Sequence, residues 1–258
     1  MSKRPMKRST SSKNIYYLIG IGLLIILWQA FSLLLGEDTM VFPGPVSTVS
    51  YALQLLGRGY TYRCIASTFS RMLAGFLISV ISALLFGIPA GNDPRIRDIL
   101  APFITALRAI PTASLIYLFI VLAGFKAAPM LLVILVSFPI IYEGAAGGIR
   151  SVPNDLIDAA RSDGATIIQE NVRIRFPLAL PYLIVAMTSS FSLCFKIEIM
   201  SEVITGASTP GLGSVISGVR ASDPTNMVPV FAYSLIAVIL MLGIDFITRL
   251  IRGQSAVN

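Results

Sequence analysis

Residues 158–177 read DAARSDGATIIQENVRIRFP. On each side of this stretch lies an apolar run, 128–148 before it and 178–200 after it. Each matches the roughly 20 residues a helix needs to cross the hydrocarbon core of a bilayer. Moving outward, similar runs occupy 15–35, 68–90, 99–122 and 227–250. The composition agrees with lipid as the solvent. Hydrophobic residues make up 55% of the 258 and charged residues only 13%, about half the ~25% usual in soluble domains. The expectation is an all-α polytopic membrane protein with six transmembrane helices.

The apolar run 15–35 follows Lys3, Arg4, Lys7, Arg8 and Lys13. A cleaved signal peptide would be shorter and end at small residues. Here Gly36-Glu37-Asp38 follows instead, so the reading is a retained first span. Proline interrupts the third run at Pro102 and Pro111 and the fourth at Pro139. Proline frees backbone groups that a neighbouring helix or water must satisfy, which places these runs against protein or a cavity. The outer connection 36–67 spaces Val46, Val49, Ala52, Leu55 and Leu56 like a helix lying in the membrane interface.

The basic residues set the orientation. With the amino terminus inside, the cytoplasmic side holds 13 Lys and Arg and the outer side 4, namely Arg58, Arg63, Lys126 and Arg220. That bias predicts both termini in the cytoplasm and 149–177 as an inner loop. It also explains the net charge of +7 without nucleic-acid binding. Other classes fall away by absence. With no histidine there is no Ser-His-Asp hydrolysis and no His-ligated metal, and Cys64 and Cys194 form no CxxC. No Gly-Lys pair is present, so there is no phosphate-binding loop of the ATPase kind.

Read alone, Asp158-Ala159-Ala160 with Gly164 is an amphipathic loop helix with one nearly bare face. The spacing says more. Ala-Ala, three residues, Gly, nine residues, Ile174-x-Phe176-Pro177 resembles the EAA signature of binding-protein-dependent ABC transporter permeases, of the type I importer class. Asp158 stands for the glutamate and Phe176 for the leucine of that signature. Further segments are similar to the nitrate/sulfonate/taurine/bicarbonate branch. They are 67–76, Gly87-Ile88-Pro89-Ala90-Gly91, Leu107-Arg108-Ala109-Ile110-Pro111, Phe138-Pro139-Ile140 and Glu202 with Gly211-Leu212-Gly213.

The resemblance implies a permease core over 67–250 with a coupling loop at 149–177. Around it lie a basic head (1–14), a first helix with an outer segment (15–66) and a tail (251–258). It implies ATPase contacts at Asp158, Ala159, Ala160, Gly164, Ile174 and Pro177. The implied partners are a dimer of ABC ATPase subunits, a second permease copy or sister permease, an extracytoplasmic solute-binding protein and membrane lipid. ATP and Mg would be used by the ATPase, with no cofactor and no metal on this chain, in a bacterial inner membrane. The chain itself would not be an enzyme. The substrate implied is a small anion such as a sulfonate or nitrate, with a vitamin precursor or other heterocycle as the alternative.

Charges inside spans rarely face lipid. Arg108, about nine residues into the third run, therefore marks either the translocation pathway or a buried pair. Lys196, Glu198 and Glu202 gather at the outer end of the fifth run and, with Arg108, are the candidates for the translocation pathway; Glu198 and Glu202 are one turn apart, a spacing that needs a cation, water or a raised pKa. Asp245 and Arg249 read as an i,i+4 helix pair. A rival class, an ion-coupled secondary transporter or channel, would show an inverted repeat and a charged midplane site. A membrane-embedded enzyme would need a catalytic constellation that the sequence does not supply.

Overall fold

The computed structural model describes residues 10–36, 41–206 and 209–255, and the basic side chains Lys3, Arg4, Lys7 and Arg8 lie outside them. The described residues form ten α-helices in the order α1 Thr10–Leu34, α2 Pro45–Leu56, α3 Gly59–Asn92, α4 Pro94–Ala109, α5 Thr112–Arg150, α6 Asn154–Ser162, α7 Ile167–Glu170, α8 Phe176–Thr205, α9 Leu212–Ser222 and α10 Val228–Ser255. A π-helical turn, Asn171–Arg175, joins α7 to α8.

The all-α polytopic class holds, but the division into spans differs from the expectation in its third member. Helices α3, α5, α8 with its lead-in, and α10 are long and apolar enough to cross a membrane, and α1 adds a shorter apolar helix, Leu18–Leu34. The run 99–122 is not one helix. Pro111 disfavours helical geometry at the residue before it, and Ile110 is extended (φ −75°, ψ 128°). The run is therefore shared between α4 and the start of α5. Helix α5 is itself broken at Gly124, whose φ of 78° and ψ of 168° suit glycine alone. The helix-forming signal at the head of α4 is local. Pro94 sits in the first turn, and the Asp93 carboxylate accepts the Arg95 backbone N–H at 2.8 Å.

Helix α2 matches the expected outer helix but turns a different stripe inward. Pro45, Thr48, Ala52 and Leu55 are buried, whereas Val46 and Val49 face out. Its main packing partner is α10. Helix α5 lies between α3 and α8 and packs most extensively with both. Small residues allow this approach. A Cβ at Gly87 would fall 2.9 Å from the Ala145 Cβ, and one at Gly91 would fall 2.6 Å from the Ile149 Cβ. On the opposite side of α5, Gly144 meets the Ala186 methyl and Gly148 lies against Ala179. The two GxxxG spacings of the sequence are thus the two contact faces that hold α5 in place.

Candidate functional site

Helix α8 carries a charged cluster at one end and an exposed segment at the other. The cluster begins with Glu198 and Glu202, one turn apart on α8 and 0% and 1% exposed. The cation they require is Arg71 of α3. Its Nε donates to Glu198 Oε1 at 3.2 Å, and its Nη2 pairs with Glu202 Oε1. The same guanidinium donates to the Pro210 carbonyl at 3.1 Å and to Ser67 Oγ at 2.7 Å. Glu202 Oε2 accepts from Thr68 Oγ1 and from the Gly213 backbone N–H, each at 2.9 Å, while Thr68 Oγ1 accepts the Leu212 N–H at 2.9 Å. A carboxylate from α8 therefore caps α9, where unpaired N–H groups and the helix dipole favour negative charge.

The glycines around this cap are required by space. A Cβ at Gly211 would fall 2.6 Å from both Glu202 Oε2 and Arg71 Nη2, and one at Gly213 would fall 2.6 Å from the Glu202 Cβ. Gly206, at φ 75°, ends α8 and turns the chain toward α9. The cluster thus ties α3, α8 and α9 together through one guanidinium and two carboxylates, and Glu198 Oε2 is buried without a hydrogen-bond partner among the described residues.

The other predicted pathway residues stand apart from this cluster. Lys196 is exposed, on a face of α8 away from Glu198. Arg108, at the end of α4, is half-exposed; it donates to the Pro139 carbonyl at 3.1 Å and lies 4.0 Å from Glu143 Oε1. Asp245 and Arg249 form no ion pair among the described residues, contrary to the helix-pair expectation.

Arg71 and Thr68 went unread as site residues, and helix length explains why. A span beginning at residue 68 puts Arg71 in its first turn, where an arginine can reach water. With α3 starting at Gly59, Arg71 lies 12 residues in, about 18 Å along the axis. The depth argument that singled out Arg108 applies with more force to Arg71.

At the opposite end of α8 the 149–177 loop folds into a compact unit. Ile157 and Val152 point inward, while Asp158 and Ala159 are exposed and Ala160 is half-buried. Gly164 does not extend the bare helix face, because α6 ends at Ser162. Its φ of 82° makes it the left-handed residue of a Schellman cap. The Gly164 N–H bonds the Arg161 carbonyl and the Ala165 N–H bonds the Ala160 carbonyl, both at 3.0 Å. Thr166 and Gln169 then form a capping box that starts α7.

Arg161 spans the turn and grips Glu170 with two bonds, 2.7 and 3.1 Å, although Glu170 is only 3% exposed. Arg161 holds the Glu170 carboxyl below the ordinary carboxylate range, and Glu170 in turn raises Arg161. Asn92 at the end of α3 donates to Asn171 Oδ1 at 2.8 Å. The half-buried Ile174 lies in the π-helical turn, and Pro177 sits in the first turn of α8. Pro177 has no N–H to give, which fits a widened turn just before it.

Known families and proteins resemble this chain. Residues 75–253 match the family described as "Binding-protein-dependent transport system inner membrane component". A probable ABC transporter permease of Brucella melitensis is 30% identical over 76% of this chain and 81% of its own length. The taurine transport system permease of Escherichia coli is 26% identical over 96% of this chain and 93% of its own. The riboflavin transport system permease of Chloroflexus aurantiacus is 29% identical over 85% and 82%. Among solved structures, a chain of an amino acid ABC transporter superposes with a TM-score of 0.64 at 17% identity, over 81% of this chain and 97% of the other.

Proposed function

Taking as premise that the chain belongs to the family of binding-protein-dependent transport system inner membrane components, and so is a permease subunit of an ABC importer, we propose that α8 is its transmission rod. The 149–177 loop docks on a separate ATPase subunit through Asp158, Ala159, Ala160 and Gly164. Ile174 and Pro177 form the joint into α8. Movement of the loop tilts α8, and the far end of α8 opens or closes the Arg71–Glu198–Glu202 cluster. The one observation that carries this reading is the continuity of α8, which runs without a break from Phe176 to the two buried carboxylates. The permease makes and breaks no substrate bonds. Its work is a shift between two packed arrangements.

The orientation follows from the basic residues, with both termini and the loop in the cytoplasm. The outer cluster then faces the side where an external solute-binding protein would deliver its load, and a second copy or a sister permease completes the pore. Glu198 and Glu202 act as the gate, with Arg71 as its latch. Arg108, half-exposed beside Glu143, is the cation assigned to the translocation path. Lys196, on the other face of α8, takes no part in the latch. A small anion such as a sulfonate is the preferred substrate, supported by the similarity to the taurine permease and by the cationic Arg108. The similarity to the riboflavin permease favours a heterocycle as the second reading.

The test is reconstitution. Vesicles holding this chain, its ATPase and its binding protein should accumulate a sulfonate only with ATP inside. Ala159→Trp should abolish both uptake and co-purification of the ATPase. ATP-independent accumulation by the chain alone would overturn the proposal.

A further inference from the structure

A cavity of about 550 Å³ lies between α3, α8 and α10, separate from the charged cluster and from the loop. Phe69 and Phe76 of α3, Met187 and Phe191 of α8, and Ile247 and Ile251 of α10 form most of its wall. Two threonines also line it, with their hydroxyls already engaged in hydrogen bonds. Thr188 Oγ1 donates to the Ile184 carbonyl at 2.7 Å, and Thr248 Oγ1 donates to the Asp245 carbonyl at 3.0 Å. The wall therefore presents hydrocarbon, which gives a small polar solute nothing to bind. An alkyl chain suits it.

A cation is tied to one wall residue of the cavity. Arg252 Nε donates to Thr188 Oγ1 at 2.8 Å, which fixes the guanidinium at that wall residue. Arg252 forms no ion pair with a carboxylate among the described residues, and Arg249, three residues earlier, forms none either. An arginine at the end of an apolar span needs an anion or water, and basic groups between spanning helices are suited to lipid phosphate. An apolar slot with a guanidinium anchored at its wall is complementary to one kind of molecule that a membrane supplies in quantity.

We propose that this cavity seats an acyl chain of an anionic phospholipid, whose headgroup phosphate is held by Arg252. The lipid would bridge α3, α8 and α10 and so brace α8, the helix that joins the loop to the charged cluster.

The test uses the full-length chain in nanodiscs of phosphatidylcholine doped with phosphatidylglycerol. After mild detergent washing, the lipid retained per chain is measured by mass spectrometry. Phosphatidylglycerol should be enriched over phosphatidylcholine, and Arg252→Gln should lower its retention about tenfold. Arg252→Lys should keep most of it. Ile247→Trp, which fills the cavity and leaves the charge alone, should also release the lipid. Equal retention of the two lipids, or full retention in Arg252→Gln, overturns the proposal. So does efficient short-range crosslinking of Ile247→Cys to a second copy of the chain, which would place protein on this face.

Discussion

The two ends of α8 solve opposite problems with the same chemistry. At the Glu202 end an arginine from α3 neutralises carboxylates that are almost wholly enclosed, and two glycines fold the α9 turn tightly over them. At the Phe176 end an arginine also grips a buried carboxylate, but the surface it supports is alanine and glycine left exposed. One ion pair closes the molecule upon itself. The other stiffens a surface that the chain does not cover. The carboxylates are buried at both ends, but Arg71 is 18% exposed and Arg161 55%, and burial of the arginine decides what each salt bridge is for: the first determines whether the helices assemble, the second whether a loop keeps its shape while something pushes on it.

The comparison breaks most readily at Arg71. Arg71→Met leaves two carboxylates buried without their cation, and the chain should lose about 3–5 kcal/mol of stability, read as a large fall in Tm in detergent. Arg71→Lys should recover only part of this, since an ammonium cannot reach both carboxylates and the Pro210 carbonyl in one plane. Next in size is Gly213→Ala, whose methyl would collide with Glu202. A loss of about 1–3 kcal/mol is expected, measured the same way, with the α9 turn displaced.

Substitutions at the loop end should barely move Tm. Glu170→Gln should leave the chain folded but raise the ATP spent per solute imported several-fold, because the loop then yields under load. An equally large fall in Tm would remove the contrast between the two ends. Acid sharpens the same point. Because Arg161 holds the Glu170 carboxyl below its ordinary value, the grip is complete at neutral pH and lost only as pH falls through that lowered value. Spin labels on Asp158→Cys and Val172→Cys should give a narrow distance distribution at neutral and mildly acidic pH, broadening only in stronger acid. Broadening near neutrality would contradict the assignment.

Legibility followed the range of the interaction. Hydrophobic run length was enough to place α8 and α10 within a few residues, because span length is imposed by the solvent. The loop was readable because its signature is local in sequence. Two things were not. The break at Ile110-Pro111 was visible as a proline, but whether a proline kinks or divides a span depends on neighbours that only the packed bundle supplies. The Arg71 cluster joins residues more than 120 positions apart, so no local pattern could pair them. That Glu198 and Glu202 need a cation, water or a raised pKa to coexist was legible, while the choice of Arg71 depended on where α3 begins. Gly164 shows a third case. Its presence was read correctly, but its work is to end α6 and not to smooth a helix face.

One distance tests whether the two ends of α8 are mechanically continuous. In the reconstituted importer, with both native cysteines replaced, spin labels on Arg63→Cys of α3 and Ser222→Cys of α9 report across the charged cluster. Trapping the ATPase in its nucleotide-bound state should change this distance in the wild-type background and leave it unchanged with Ala159→Trp. A distance that stays constant through normal ATP-driven uptake would contradict the account.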